Sequence, residues 1–359
     1  MADEASKNDA RSANAKVLAV AGTCLLSLAL LTFAACSQQG GSVSADDQPT
    51  AGETSTGQKE DADKNSSGKD NEGAKADKTE ATDGKQDDEQ EEKPSYDQAA
   101  ADSLAADIAA AADASGMDTC VSVIDLTNGM AVSHHGDTQM ASASMIKMLI
   151  AYSFLEQVQA GNQSLDATYT LKGSDLVGGT GVIAGYGAGA QLTYRDILMR
   201  MIDASDNTAT NILIDAIGFD AINATAKELG LSQTVLNRKM MDYDAIAAGR
   251  ENYTCADDLA LLMHKAYGGT FVDKASSELV MQGLRQQEDW GGVKNGLPEG
   301  VSFAHKTGAL DSVRHDGGIV EGSHPFVLVV LCGGQGFYEQ GALQAMAEVA
   351  RVTYADVVG

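Results

Sequence analysis

Apolar and polar positions divide this chain into three stretches of different character. Residues 17–35 form an uncharged, mostly apolar run ending in Phe33-Ala34-Ala35-Cys36. Residues 37–93 hold almost no apolar side chain and show no period. From residue 94 onward the pattern is that of a folded unit. Residues 98–114 are Ala-rich with helical spacing and run into Ser115-Gly116, a helix stop signal. Residues 120–126 and 130–133 read as strands joined at Thr127-Asn128-Gly129, and Asn-Gly between apolar runs predicts a hairpin. Residues 145–158 are apolar nearly all round, which predicts a buried helix. A glycine-rich excursion fills 173–189, and helical spacing returns at 194–204, 208–217, 220–229 and 255–267. Strands are expected at 301–307, 318–321 and 326–331, followed by a closing helix at 340–352. Strands at both ends with helices between them predict an α+β fold, one antiparallel sheet plus a helical block. No internal repeat is visible.

Charge and composition then assign roles to the first two stretches. Lys7, Arg11 and Lys16 precede the apolar run, and a basic-flanked apolar stretch closing on small residues is an export signal. Cys36 directly after those residues resembles a bacterial lipobox, with Cys36 as the lipidated residue. The alternative is an uncleaved anchor, since 19 residues nearly suffice to span a bilayer. Residues 37–93 carry 16 acidic and 7 basic side chains and bury too little to offset their ordering entropy, so they are expected to be a solvated tether. The expected organisation is therefore 1–36 leader, 37–93 linker and 94–359 folded domain, held on the outer face of a cytoplasmic membrane. The chain carries a net charge of −26, of which −9 falls on the linker and none on the leader, leaving −17 on the domain. A surface that acidic argues against nucleic acid as partner. Of five cysteines, Cys120, Cys255 and Cys332 fall in the domain, where Cys120 and Cys332 either pair across a sheet or remain buried thiols. The six histidines show no metal-ligand spacing, so neither a metal nor another cofactor is expected.

Three short strings carry the candidate chemistry: Ser144-Met145-Ile146-Lys147, Ser205-Asp206-Asn207 and Lys306-Thr307-Gly308. They read S-x-x-K, S-D-N and K-T-G. A second S-x-x-K, Ser66 to Lys69, lies in the polar stretch, but only the set at Ser144 heads a helical pattern with the other two 61 and 162 residues downstream. Residues three apart on a helix share a face, so the Lys147 amine meets the Ser144 hydroxyl and serves as its base if its pKa is pulled down. The apolar neighbours and a second cation, Lys306, are both able to do this. Ser205 is then a proton relay to a leaving nitrogen and Asn207 a ligand for a substrate amide, while Asp206 is read as holding its own loop. On a strand edge, Lys306 and Thr307 suit a substrate carboxylate, and Gly308 permits close backbone approach. The backbone N–H groups of Ala309 and Ser144 make an oxyanion hole, and losing one such donor typically costs about 10²–10³ in rate. Arg314 is either a helper in carboxylate binding or an ordinary surface residue.

Residues 96–359 resemble a class A β-lactamase-type serine hydrolase, and the similarity extends past the motifs to Leu192-Thr193 and to residues 201–211. The resemblance implies a five-stranded antiparallel sheet flanked by helices, with an all-helical subdomain and the active site between them. It also implies acylation of Ser144 by a β-lactam or a related D-alanyl amide such as a peptidoglycan stem peptide, in a monomer. One position departs from the family. The loop expected over 238–252 should carry a deacylating glutamate two residues after Arg238, and Met240 stands there instead. Asp242, Asp244 and Glu251 are the possible substitutes, with Glu251 otherwise closing the loop on Arg238. Three outcomes follow: a β-lactamase, a D-Ala-D-Ala carboxypeptidase-like enzyme, or a sensor that is acylated without turnover.

Overall fold

The computed structural model describes residues 96–289 and 291–359. The expected leader, the Cys36 modification site and the acidic linker lie outside the described residues. The Ala-rich stretch forms α1, Gln98–Asp113, whose first turn is capped by the Asp97 carboxylate accepting from Ala99 N at 2.9 Å. The two alternating runs form β1, Asp118–Asp125, and β2, Ala131–His134, paired antiparallel across the expected turn. There Asn128 Oδ1 accepts from Met130 N at 2.8 Å. A two-residue strand, β3 (Met140–Ala141), and a 3-10 turn, Ala143–Ile146, lead into α2, Lys147–Gln159. The glycine-rich excursion follows, flanked by the short pair β4 (Thr168–Thr170) and β5 (Gln191–Thr193).

Helices then accumulate: α3 (Tyr194–Asp203), α4 (Asn207–Ile217), α5 (Phe219–Glu228) and the single turn-and-a-half α6 (Tyr243–Ala247). Strand β6, Tyr253–Thr254, pairs with β3, and α7 (Ala256–Tyr267) and α8 (Lys274–Arg285) finish the helical block. The chain returns to the sheet with β7 (Ser302–Leu310), β8 (Val313–Glu321) and β9 (Phe326–Gly333), and closes with α9, Glu339–Val358. The sheet order is β2-β1-β9-β8-β7 with every neighbouring pair antiparallel, which is the architecture expected.

All eight residues of β9 are buried, because both faces of the sheet are covered. Val327, Val329 and Leu331 pack into one core with Leu149 and Phe154 of α2 and Leu259 of α7. Phe326, Leu328, Val330 and Cys332 pack into a second core with Leu104 and Ile108 of α1 and Val349 of α9. Period-two alternation along one strand thus serves two hydrophobic cores at once. The same alternation settles the cysteines. Cys120 lies opposite Leu331, and Cys332 opposite Thr119, so the two thiols sit one position out of step. Cys120 belongs to the first core and Cys332 to the second, and both are free and buried, as is Cys255.

Several elements differ from expectation for local reasons. Strand β8 begins at Val313, ahead of the expected 318, because Arg314, His315 and Asp316 break the apolar pattern while His315 and Asp316 are buried within the sheet. Helix α8 was not expected, since its buried face includes Ser276, Ser277 and Gly283. The closing helix runs on to Val358.

Candidate active site

The nucleophile candidate sits on the 3-10 turn that starts α2. Ala143, just before it, holds φ at +46°, and Ser205 of the second motif holds φ at +52°. Left-handed backbone at non-glycine residues is costly, and such strain persists where the surroundings fix a functional group. The turn is braced from the sheet side by Gly308. A Cβ there would stand 3.1 Å from Ala143 Cβ and 3.2 Å from Met145 Cγ, so a side chain at this position would push the third motif a few tenths of an ångström away from the first.

Lys147 is fully buried, and its Nζ lies 3.0 Å from Ser144 Oγ, 3.0 Å from Ser205 Oγ, 3.0 Å from Asn207 Oδ1 and 2.7 Å from the Ser205 carbonyl. Lys306, also fully buried, places its Nζ 2.9 Å from the same Ser205 Oγ and 3.0 Å from the Thr307 carbonyl. The Ser205 hydroxyl therefore bridges two lysines. Burial first, and the Lys306 charge second, hold the Lys147 amine well below the ordinary lysine range, with Asp206 opposing. Burial pulls Lys306 down to about 7, against the pull of Asp289 and Asp316.

Asp206 does what the sequence assigned to it. One oxygen accepts from Ala209 N at 2.8 Å and caps α4, while the other accepts from Val182 N at 2.6 Å and Ile183 N at 2.7 Å. That carboxylate ties the glycine-rich excursion to the second motif. Asn207 donates from Nδ2 to the Gly178 carbonyl at 3.1 Å, and Thr180 Oγ1 donates to the Ser205 carbonyl at 2.7 Å.

Met240 is buried, and Asn211 of α4 clamps its backbone: Met240 N donates to Asn211 Oδ1 at 2.8 Å, and Asn211 Nδ2 donates to Met240 O at 3.0 Å. The three acids named as substitutes stand elsewhere. Glu251 closes the loop on Arg238, with Oε1 2.6 Å from Nη2. Asp242 caps α6 by accepting from Ala245 N at 2.9 Å, and Asp244 faces solvent. A cavity of about 200 Å³ opens beside Met240, and its other acids are engaged too, Asp175 by the Tyr169 hydroxyl and Asp215 by Lys239.

Arg314 is only 11% exposed and is no ordinary surface residue. Its Nη2 lies 2.8 Å from each oxygen of Asp289, and Thr307 Oγ1 donates to the same carboxylate at 2.9 Å. Sequence reasoning missed Asp289 because nothing in its local pattern marks a partner 18 and 25 residues downstream. It missed a second pair as well: His305 Nδ1 and Asp316 Oδ1 lie 2.8 Å apart, both buried in the sheet behind Lys306. Burial pushes His315 down to about 4, and its Nε2 sits 2.8 Å from the Ala141 carbonyl, so it is a neutral strut between β8 and β3. Among the described residues one group has donor atoms close enough for a metal, Asp113, His134 and His135 at the end of β2, and His134 Nε2 already contacts Asp113 at 3.3 Å.

Known proteins share this arrangement of elements. The beta-lactamase of Citrobacter koseri is 27% identical over 194 residues, covering 53% of this chain and 66% of that protein. Beta-lactamase L2 of Stenotrophomonas maltophilia is 28% identical over 241 residues, covering 65% and 78%. The crystal structure of a beta-lactamase from Sphaerobacter thermophilus superposes with a TM-score of 0.64 at 28% identity, over 71% of this chain and 97% of that one. A mutant of PBP-A, solved as an acyl-enzyme complex with penicillin G, superposes at 0.65 with 26% identity, over 71% and 96%. The model of the Beta-lactamase enzyme family matches residues 103–357, nearly everything described above, and the chain belongs to that family.

Proposed function

We propose that this protein is a serine hydrolase acylated at Ser144 by β-lactams or by related D-alanyl amides. The observation that carries the reading is the buried Lys147 amine 3.0 Å from both the Ser144 and Ser205 hydroxyls. With its pKa depressed, the amine is neutral and accepts the Ser144 proton as Oγ attacks the carbonyl carbon. The C–O bond forms as the carbonyl π bond opens to an oxyanion, and the collapse of that oxyanion breaks the C–N bond while the proton passes through Ser205 Oγ to the departing nitrogen. The N–H groups of Ser144 and Ala309 take the developing oxyanion. Lys306, at 2.9 Å, steadies the Ser205 oxygen during the relay, and Asn207 orients the substrate amide.

Release of the acyl group is the slow half of this reading. A thioether at Met240 cannot activate water, and Glu251, Asp242 and Asp244 are committed or solvent-facing. This favours a second outcome at the same serine, an acyl group that is held, as in a D-Ala-D-Ala peptidase trapped by penicillin or a sensor. The export leader and acidic tether extend the reading to a membrane-tethered protein acting outside the cytoplasm.

The test is to incubate the protein with a chromogenic cephalosporin while following colour and intact mass. A persistent adduct that disappears in Ser144→Ala supports the reading, and steady colour release identifies turnover. No adduct and no turnover, in the wild type as in Ser144→Ala, would sink the covalent mechanism.

A further inference from the structure

Two of the groups that the sequence offers for a substrate carboxylate, Thr307 and Arg314, are already bonded to one. Asp289 accepts from Thr307 Oγ1 at 2.9 Å, from Arg314 Nη2 at 2.8 Å on both oxygens, and from Gly291 N at 3.2 Å. Burial works to raise its pKa, but Arg314 foremost, with Gly291 and Thr307, outweighs this and holds the carboxyl below its ordinary range, ionised. The loop that delivers it is anchored at both ends. Gln287 Nε2 donates to the Ile202 carbonyl at 3.0 Å and Glu288 N to the Asp203 carbonyl at 3.1 Å, both at the end of α3. On the other side Val293 N donates to Asp316 Oδ2 at 3.0 Å. Gly291 passes this point with φ of +37°, and a Cβ on it would lie 2.1 Å from the Asp316 carboxylate, so only glycine fits.

From this we infer that Asp289 is a specificity-determining residue: it fills the Thr307–Arg314 anion site and turns the enzyme away from acyl donors bearing a free carboxylate there, toward donors that are neutral at that position. The inference rests on acylation at Ser144 as proposed above. An incoming carboxylate meets a like charge in a site where Thr307 Oγ1 and Arg314 Nη2 are already engaged, and the internal ligand competes at the high effective concentration of a tethered group. A neutral ester or amide demands no such displacement. Internal amide bonds, whose carboxyl is not free, belong to the favoured class.

The experiment compares benzylpenicillin with its methyl ester as acylating agents of the full chain, reading the second-order rate of adduct formation on Ser144 by mass. In the wild type the acid reacts less than about tenfold faster than the ester, whereas a larger preference for the acid overturns the inference. In Asp289→Asn and Asp289→Ala the acid-to-ester ratio rises at least about tenfold, because the anion site is vacated. An unchanged or falling ratio, with adducts still forming, overturns the inference while leaving acylation intact. Absence of adduct from either compound on all three proteins removes both. Because the first comparison uses only the wild type, a variant that fails to fold does not shield the inference.

Discussion

At the scale of single residues, the site is built on two buried lysine amino groups sharing one hydroxyl. Among the described residues neither lysine has a carboxylate in direct contact; the oxygens that meet them are those of Ser144, Ser205 and Asn207 and two carbonyls. Such an arrangement favours neutral amines, which is what a proton-accepting Lys147 requires. It also has a stability signature. Lys306 titrates at about 7 in the fold and near 10.5 unfolded, so between those values the unfolded chain holds the extra proton. The penalty for burying its charge is complete below about pH 7 and fades as pH rises toward 10.5. Replacing Lys306 with Met should therefore stabilise the protein most at pH 6.5, with the gain over wild type shrinking by pH 9.5 in urea unfolding. Parallel curves for the two proteins would contradict a depressed Lys306.

At the scale of elements, the loop between α5 and α7 decides the fate of the acyl group. Asn211 fixes the backbone at Met240, and the Arg238–Glu251 pair closes the loop, with Arg238 only 5% exposed. Because the frame holds independently of the Met240 side chain, Met240→Glu should place a carboxylate where a water can be activated. Deacylation of a penicilloyl adduct is expected to accelerate at least about tenfold, a modest share of what a positioned general base supplies. An adduct lifetime unchanged by that substitution would mean that the loop is not where release is controlled. The elements themselves were legible to different depths. Continuous apolar runs gave β9 and α2, strand-like runs about an Asn-Gly turn gave β1 and β2, and spacing alone put Ser144 and Lys147 together. Helix α8 hid behind a buried face of serines and a glycine, and β3, β4, β5 and β6 are too short to show any alternation. The motifs announced Ser205 and Lys306, but no local pattern announced Asp289, since its meaning arises only when a loop after α8 meets two strands. Long-range ion pairs of that kind leave no period to read.

At the scale of the whole molecule, the central sheet separates two hydrophobic cores that divide residues 326–332 of β9 between them in alternation. Cys120 faces one core and Cys332 the other, and burial pushes their thiols up to about 11 and about 12. Native thiolate is therefore scarce, and reagent reaches either sulfur only after the structure opens. The pair works as a built-in two-channel gauge of cooperativity. If the sheet welds the halves into one unit, an alkylating reagent in native buffer should modify Cys120 and Cys332 at the same slow rate, read peptide by peptide in a mass spectrometer. Unequal rates would reveal that one half breathes without the other. And because adjacent strands point these sulfurs to opposite sides, an oxidising surrounding has no cystine to form between Cys120 and Cys332 while the sheet stays folded.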